Sequence, residues 1–77
     1  MDTVRISGLE VTVDARGVVT FEGRVLGRVA REERVGQFFW RAYEGTSQEP
    51  LKRFLTTRPE AMQLLLINAD LIDGIGF

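Results

Sequence analysis

The sequence predicts an α+β domain, an antiparallel β-meander of four to six strands covered on one face by a single C-terminal helix, about residues 58–73. Three observations lead there. Glycine-bearing turn signals recur at short intervals through the first 45 residues, and the apolar residues between them alternate with period two. Helical spacing begins only after Thr57.

The elements follow in order. In VRISGLEVTV, Val4 and Ile6 alternate, as do Leu9, Val11 and Val13, with a slip of phase across Gly8. That slip reads either as a bulge in one bent strand or as a break between two. Asp14-Ala15-Arg16-Gly17 reads as a type I turn with glycine in a left-handed position, and Val18 to Glu22 as the returning strand. Glu22-Gly23 is a tighter turn. Arg24 to Arg31 alternates again: Val25, Gly27 and Val29 share one face, and Arg24, Leu26, Arg28 and Ala30 the other. Gly27 marks a bulge or a close approach of backbone. Glu32 to Gly36 is polar and closes a third hairpin, whose return strand QFFWRAYE ends at Glu44-Gly45. TSQEP is a loop, and Leu51 to Thr56 is short and extended.

Thr57-Arg58-Pro59-Glu60 has the makings of a helix start: a hydroxyl cap, proline in the first turn, and a glutamate three residues on that can reach back. Met62, Leu65, Leu66, Ala69 and Ile72 then share one face, with Glu60, Gln63 and Asp70 opposite. Gly74 is the expected stop.

A chain of 77 residues has room for one domain, residues 1–77, with one core. It has no cysteine and no histidine, which removes disulfides, thiolate metal sites, the commonest general base and the usual nitrogen ligand for zinc. No run is apolar enough for a membrane span and no secretion signal opens the chain, so a cytoplasmic location without membrane association is the default expectation. Net charge is −1 but unevenly placed. Arg24 to Arg58 holds eight basic residues against four acidic ones, whereas the flanks hold two against seven. That asymmetry is compatible with a basic and an acidic face, and equally with charges scattered over solvated strands.

Four of the seven aromatic residues crowd into Phe38–Tyr43. Alternation sends Phe38, Trp40 and Ala42 to one side, and Gln37, Phe39, Arg41 and Tyr43 to the other. The first set is bulky, uncharged and ends in a small residue, which suits the helix-covered face, with Val25, Val29, Phe54 and Leu65 as neighbours. The second carries a charge between two rings. One helix covers one side of a sheet, so this second set, joined by Arg24 and Arg28, is the candidate binding surface. The competing reading packs Phe39 and Tyr43 against the N-terminal strands of a curled sheet.

The pattern W-R-A-Y…F-x-T-T-R-x-E-A-x-x-L-L, carried here by Trp40, Arg41, Ala42, Phe54, Thr57, Arg58, Glu60, Ala61 and Leu65, resembles the AP2-like or arm-type DNA-binding domain that opens many phage integrases. Gly23 to Val29 corresponds to that domain's first strand, so the resemblance spans the last two-thirds of the chain. Small phage-encoded proteins of uncharacterised role are similar. The resemblance implies a sheet face entering a DNA groove through Arg24, Arg28 and Arg41.

No nucleophile elbow, phosphate loop or dinucleotide fingerprint occurs, and Ser7 and Ser47 have no histidine to activate them. Asn68-Ala69-Asp70 through Gly74 lacks the spacing of a calcium loop. The expectation is a non-enzymatic module without cofactor or metal, a regulator or inhibitor of phage or mobile-element type that binds a protein through Phe39, Arg41, Tyr43, Arg24 and Arg28. DNA binding through the same face is one alternative. A structural homo-oligomer, a homodimer at its simplest, is another, because Leu64, Ile67 and Leu71 extend the apolar helix beyond one stripe and Phe77 trails it.

Overall fold

The computed structural model describes residues 1–51 and 55–74. Five strands, β1 (Asp2–Ile6), β2 (Leu9–Val13), β3 (Val18–Phe21), β4 (Arg24–Arg34) and β5 (Gln37–Glu44), precede one helix, α1 (Arg58–Asn68). The strands form a single antiparallel sheet in the order β1-β2-β3-β4-β5, a meander. The expected α+β architecture is therefore present.

Local chemistry accounts for the turns. Ser7-Gly8, Glu22-Gly23 and Val35-Gly36 each place two consecutive residues at positive φ (50° and 82°, 50° and 78°, 51° and 76°). This is the type I′ geometry that matches the twist of a two-residue hairpin. The slip at Gly8 is thus a break between two strands. The Asp14–Gly17 turn forms as expected, with Gly17 N–H donating to the Asp14 carbonyl at 3.0 Å. The Asp14 carboxylate accepts from the N–H of Val18 and of Arg16, and these bonds, that from Val18 foremost, hold its pKa below the ordinary aspartate value.

The sheet curls around α1, which packs on β4 and β5 and also reaches β1. Arg58 at the helix start bridges to Asp2 at the sheet's far edge, 3.1 Å away. The concave side of the sheet is the core. Ile6, Val11, Val13, Val19, Leu26, Val29 and Ala42 are buried there with Leu55 and with Ala61, Met62, Leu65 and Leu66 of the helix. At the free edge of β5, Leu51 N–H donates to the Ala42 carbonyl, and Leu55 exchanges both backbone bonds with Trp40.

Four expectations are corrected. First, β4 pairs with β3 through a bulge. Val19 faces Gly27 but Thr20 faces Val25, so Leu26 is the extra residue. Leu26 turns into the core, and Val25, expected beneath the helix, is 57% exposed. Second, Glu32 to Arg34 are strand and not loop, because β4 continues to a two-residue turn. Third, Phe38 is 57% exposed. It lies opposite Glu33, one pair from the turn and beyond the last pairing of β3 with β4, so the sheet does not extend far enough to cover it. Trp40 and Ala42 do pack toward the core as expected, and Phe54 falls outside the described residues.

Fourth, the helix ends before Gly74. Asp70 adopts φ +60°, its N–H bonds to the Ile67 carbonyl, and Leu71 N–H bonds to the Leu66 carbonyl. That pair of bonds is a Schellman stop, with aspartate in the position glycine usually takes. Leu71 and Ile72 then fold back onto the core.

The helix start matches its sequence signal. Thr57 is the N-cap, its hydroxyl accepting from Glu60 N–H at 3.3 Å, while Glu60 accepts from the Thr56 and Thr57 hydroxyls at 2.7 and 3.0 Å. Those hydroxyl bonds, Thr56 first, hold the Glu60 pKa below the ordinary glutamate value. A depressed carboxyl pKa adds stability that is fully present above the unfolded value and is lost as pH falls through the folded one. Thr57→Ala should therefore lower unfolding free energy by about 1 kcal/mol near neutral pH. The gap from wild type should narrow on acidification; urea titrations across the acid range would show it, and a gap that widens in acid would contradict it.

Candidate functional site: the outer face of β4 and β5

Pairing register assigns the side chains to faces without ambiguity. On β4 and β5, Arg28 lies opposite Tyr43, Ala30 opposite Arg41, Glu32 opposite Phe39, and Arg34 opposite Gln37. Val29 lies opposite Ala42 in the core, so these four rows, one residue out of phase with it, make up the outer face. The N-terminal strands curl toward the helix and not over this side. Its residues are half-buried or exposed and none is buried.

Phe39, Arg41, Tyr43 and Arg28 are thus brought together as expected. Arg24 is not. Beyond the bulge it pairs with Phe21, which packs toward the core, so Arg24 belongs to the opposite phase from Arg28.

Arg28 and Tyr43 form the centre of the surface. The guanidinium carbon of Arg28 stands 3.9 Å from the Tyr43 ring centroid, within the range of a cation–π contact. The Tyr43 hydroxyl donates to Glu32 Oε2 at 3.4 Å, across the strand pair. One cation and one carboxylate therefore hold the ring from above and from its tip. Ala30, lying between Arg28 and Glu32 along β4, leaves a low point opposite Arg41. Three arginines (Arg28, Arg34, Arg41) share this face with one carboxylate (Glu32), a local positive excess on a chain of net charge −1. Such a platform presents a fixed ring and directed N–H donors without further ordering of Tyr43, which lowers the entropic cost of association.

Away from this centre the outer face becomes neutral and threonine-lined, with Thr12 opposite Thr20, and ends in an exposed Arg5–Glu10 pair 3.1 Å apart. Arg31 and Phe38 also stack, at 4.7 Å, but on the other side of the hairpin. Sequence reading did not separate these two arginine–aromatic pairs, because pairing register and not spacing decides which ring each arginine meets. Among the described residues no group of three or more histidine, cysteine, aspartate or glutamate side chains is placed to hold a metal ion. Among them, too, no helix is long and apolar enough to cross a membrane.

Comparison with known proteins returns no match: no family model, no curated protein and no solved structure is similar to this chain.

Proposed function

We propose that the chain is a non-enzymatic binding module that docks a protein through the outer face of β4 and β5. The partner surface would carry carboxylates for Arg28, Arg34 and Arg41 and an apolar patch for the Tyr43 and Phe39 rings. The observation that supports this reading is the Arg28–Tyr43–Glu32 assembly, prearranged on a face that no described element covers. Tyrosine and arginine are the side chains that most often supply the energy at the centres of protein interfaces.

The test is a crosslinking capture from host lysate followed by rebinding of the purified captured protein. Arg41→Glu and Tyr43→Ala should lose it, whereas Arg16→Ala, in the Asp14–Gly17 turn, should keep it. Equal rebinding by all variants would remove the reading. The second arm is a gel shift with duplex DNA at about 50 and 200 mM salt, where a phosphate-contacting protein loses several orders of magnitude in affinity. A salt-sensitive shift at micromolar protein, lost with Arg28→Glu, would replace the protein partner with a nucleic acid.

A further inference from the structure

The β4–β5 hairpin overhangs the sheet. β3 pairs with β4 only as far as Arg28, and Val29 N–H then donates to the Gly17 carbonyl at 2.8 Å. From Ala30 to Arg34, β4 has β5 on one side and no described strand on the other. Successive residues in an antiparallel strand direct their backbone groups to alternate neighbours. Val29 points toward β3, so the N–H and C=O groups of Arg31 and Glu33 point to the same side, the open edge. Gly17 closes that edge at Val29, packed so tightly that a Cβ on it would overlap the Val29 carbonyl. A strand added beside Arg31 and Glu33 must therefore end or turn away before Val29.

At that stopping point lies a cleft of about 270 Å³ between the open edge of β4, the Asp14–Gly17 turn and the helix start. Val13, Ala15, Val29 and Trp40 give it apolar walls, and Arg16, Arg31 and Arg58 stand around it. The acid among the lining residues, Asp14, already accepts from the N–H groups of Val18 and Arg16. Arg16 and Arg58 are shared with Asp14 and Asp2. Arg31 stacks on the Phe38 ring and forms no ion pair among the described residues. The volume falls just below that of pockets enclosing a whole drug-sized ligand, about 300–1,000 Å³, and suits one apolar side chain with an anionic group beside it.

We propose that this edge and cleft bind the C-terminal end of another protein chain, extended and finishing in an apolar residue. The incoming chain runs antiparallel to β4 and in line with β3, toward Gly17. Its last residue lies opposite Arg31, donating its N–H to the Arg31 carbonyl and accepting the Arg31 N–H on its carboxylate, a charge-assisted bond. Residues opposite each other share a face. Arg31 lies opposite Trp40 on the core side of β5, so the last side chain enters the cleft and its carboxylate stands among the three arginines. Two residues earlier, the side chain opposite Glu33 lands beside the exposed Phe38 ring. A chain of the opposite sense would bring an ammonium to the same arginines, a like-charge contact. Backbone pairing along an open edge and capture of a terminal carboxylate are both recurring modes of peptide recognition. The site lies on the core side of the overhang, away from the outer face, and does not depend on what that face binds.

The probes are acetylated hexapeptides of mixed sequence ending in valine, leucine or phenylalanine, each with a free C-terminal carboxylate or as the amide. Binding is read by the fluorescence of Trp40, the chain's single tryptophan, and by amide hydrogen exchange. Free-acid peptides should bind with a Kd below about 1 mM, and amidation should weaken them by about tenfold or more. Bound peptide should protect the Arg31 and Glu33 amides and leave those of Ala30 and Glu32, which point at β5, unchanged. Arg31→Glu should weaken the free-acid peptides by about tenfold or more, whereas Tyr43→Ala, on the outer face, should keep them. The comparison of acid with amide uses the wild-type chain, so it stands even where Arg31→Glu does not fold. No saturable binding of any free-acid peptide, equal binding of the amides, or binding that leaves Arg31 and Glu33 unprotected would overturn the proposal. So would N-acetylleucine binding as tightly as the hexapeptides, which would give the cleft to a free small acid.

Discussion

Gly27→Ala should remove a large share of this domain's stability, because it adds a methyl group where the β5 backbone leaves no room for one. Gly27 has φ +153°, where residues with a side chain are strained, at a cost of about 1–3 kcal/mol. The added Cβ would also stand 2.1 Å from the Tyr43 carbonyl oxygen and 3.1 Å from Gly45 N, both backbone atoms of the β5 segment. Neither can rotate away. Relief requires β4 and β5 to part where they hold the core residues Val29 and Ala42 opposite each other. Strain and displaced pairing together should cost about 3–5 kcal/mol, on a domain of this size that has roughly 4–11 kcal/mol in total. Urea unfolding monitored by Trp40 fluorescence would measure it, with Val25→Ala as a neighbouring control expected to change stability by less than about 0.5 kcal/mol. A Gly27→Ala midpoint close to wild type would show that the bulge is not required.

The same glycine marks where the chain can be read from its residues and where it cannot. The Glu22-Gly23 turn was legible because two-residue hairpins need left-handed backbone, which that pair declares, whereas the phase slip at Gly8 alone could not tell a hairpin from a bulge. The helix start was legible because Thr57 and Glu60 bond each other locally. Gly27 could be read as a bulge, but a bulge changes phase, and alternation before it says nothing about alternation after it. Leu26 and Val25 therefore exchanged places, and Arg24 left the Arg28 face. Glu32 to Arg34 resembled a loop because an overhanging strand is solvated like one. Phe38 resembled core because nothing in its own strand says where the neighbouring strand ends.

The helix stop was hidden for a different reason. Asp70 can take the left-handed position at some cost, and Gly74 at none, so propensity favoured the wrong residue. What decides is packing: stopping at Ala69 lets Leu71 and Ile72 turn back onto the core. The candidate surface was the more legible part. Phe39, Arg41 and Tyr43 share an outer face by strand geometry alone, whereas the stacking of Arg28 on Tyr43 needed the β4–β5 register.

Leu65→Ala is the second large effect, and it probes the helix side of the same contact. Leu65 is 1% exposed, and its Cδ2 would lie 3.0 Å from a Cβ at Gly27, so the bare glycine lets the helix seat this leucine against the β4 backbone. Truncation should cost about 2–5 kcal/mol, lost transfer energy plus the cavity left between helix and sheet. The value should fall in the upper half of that range, because Gly27 has no side chain with which to fill the space. Combining the two substitutions separates the causes of strain at Gly27. If the Leu65 methyl were the main obstacle, Leu65→Ala would relieve Gly27→Ala and the costs would be less than additive. The nearer obstacle is the Tyr43 carbonyl, which Leu65→Ala does not move. The double variant should therefore gain nothing over Gly27→Ala and should need a stabilising osmolyte to fold at all. Recovery of a native urea transition in the double variant would mean that helix packing, and not the backbone of β5, requires a glycine at position 27.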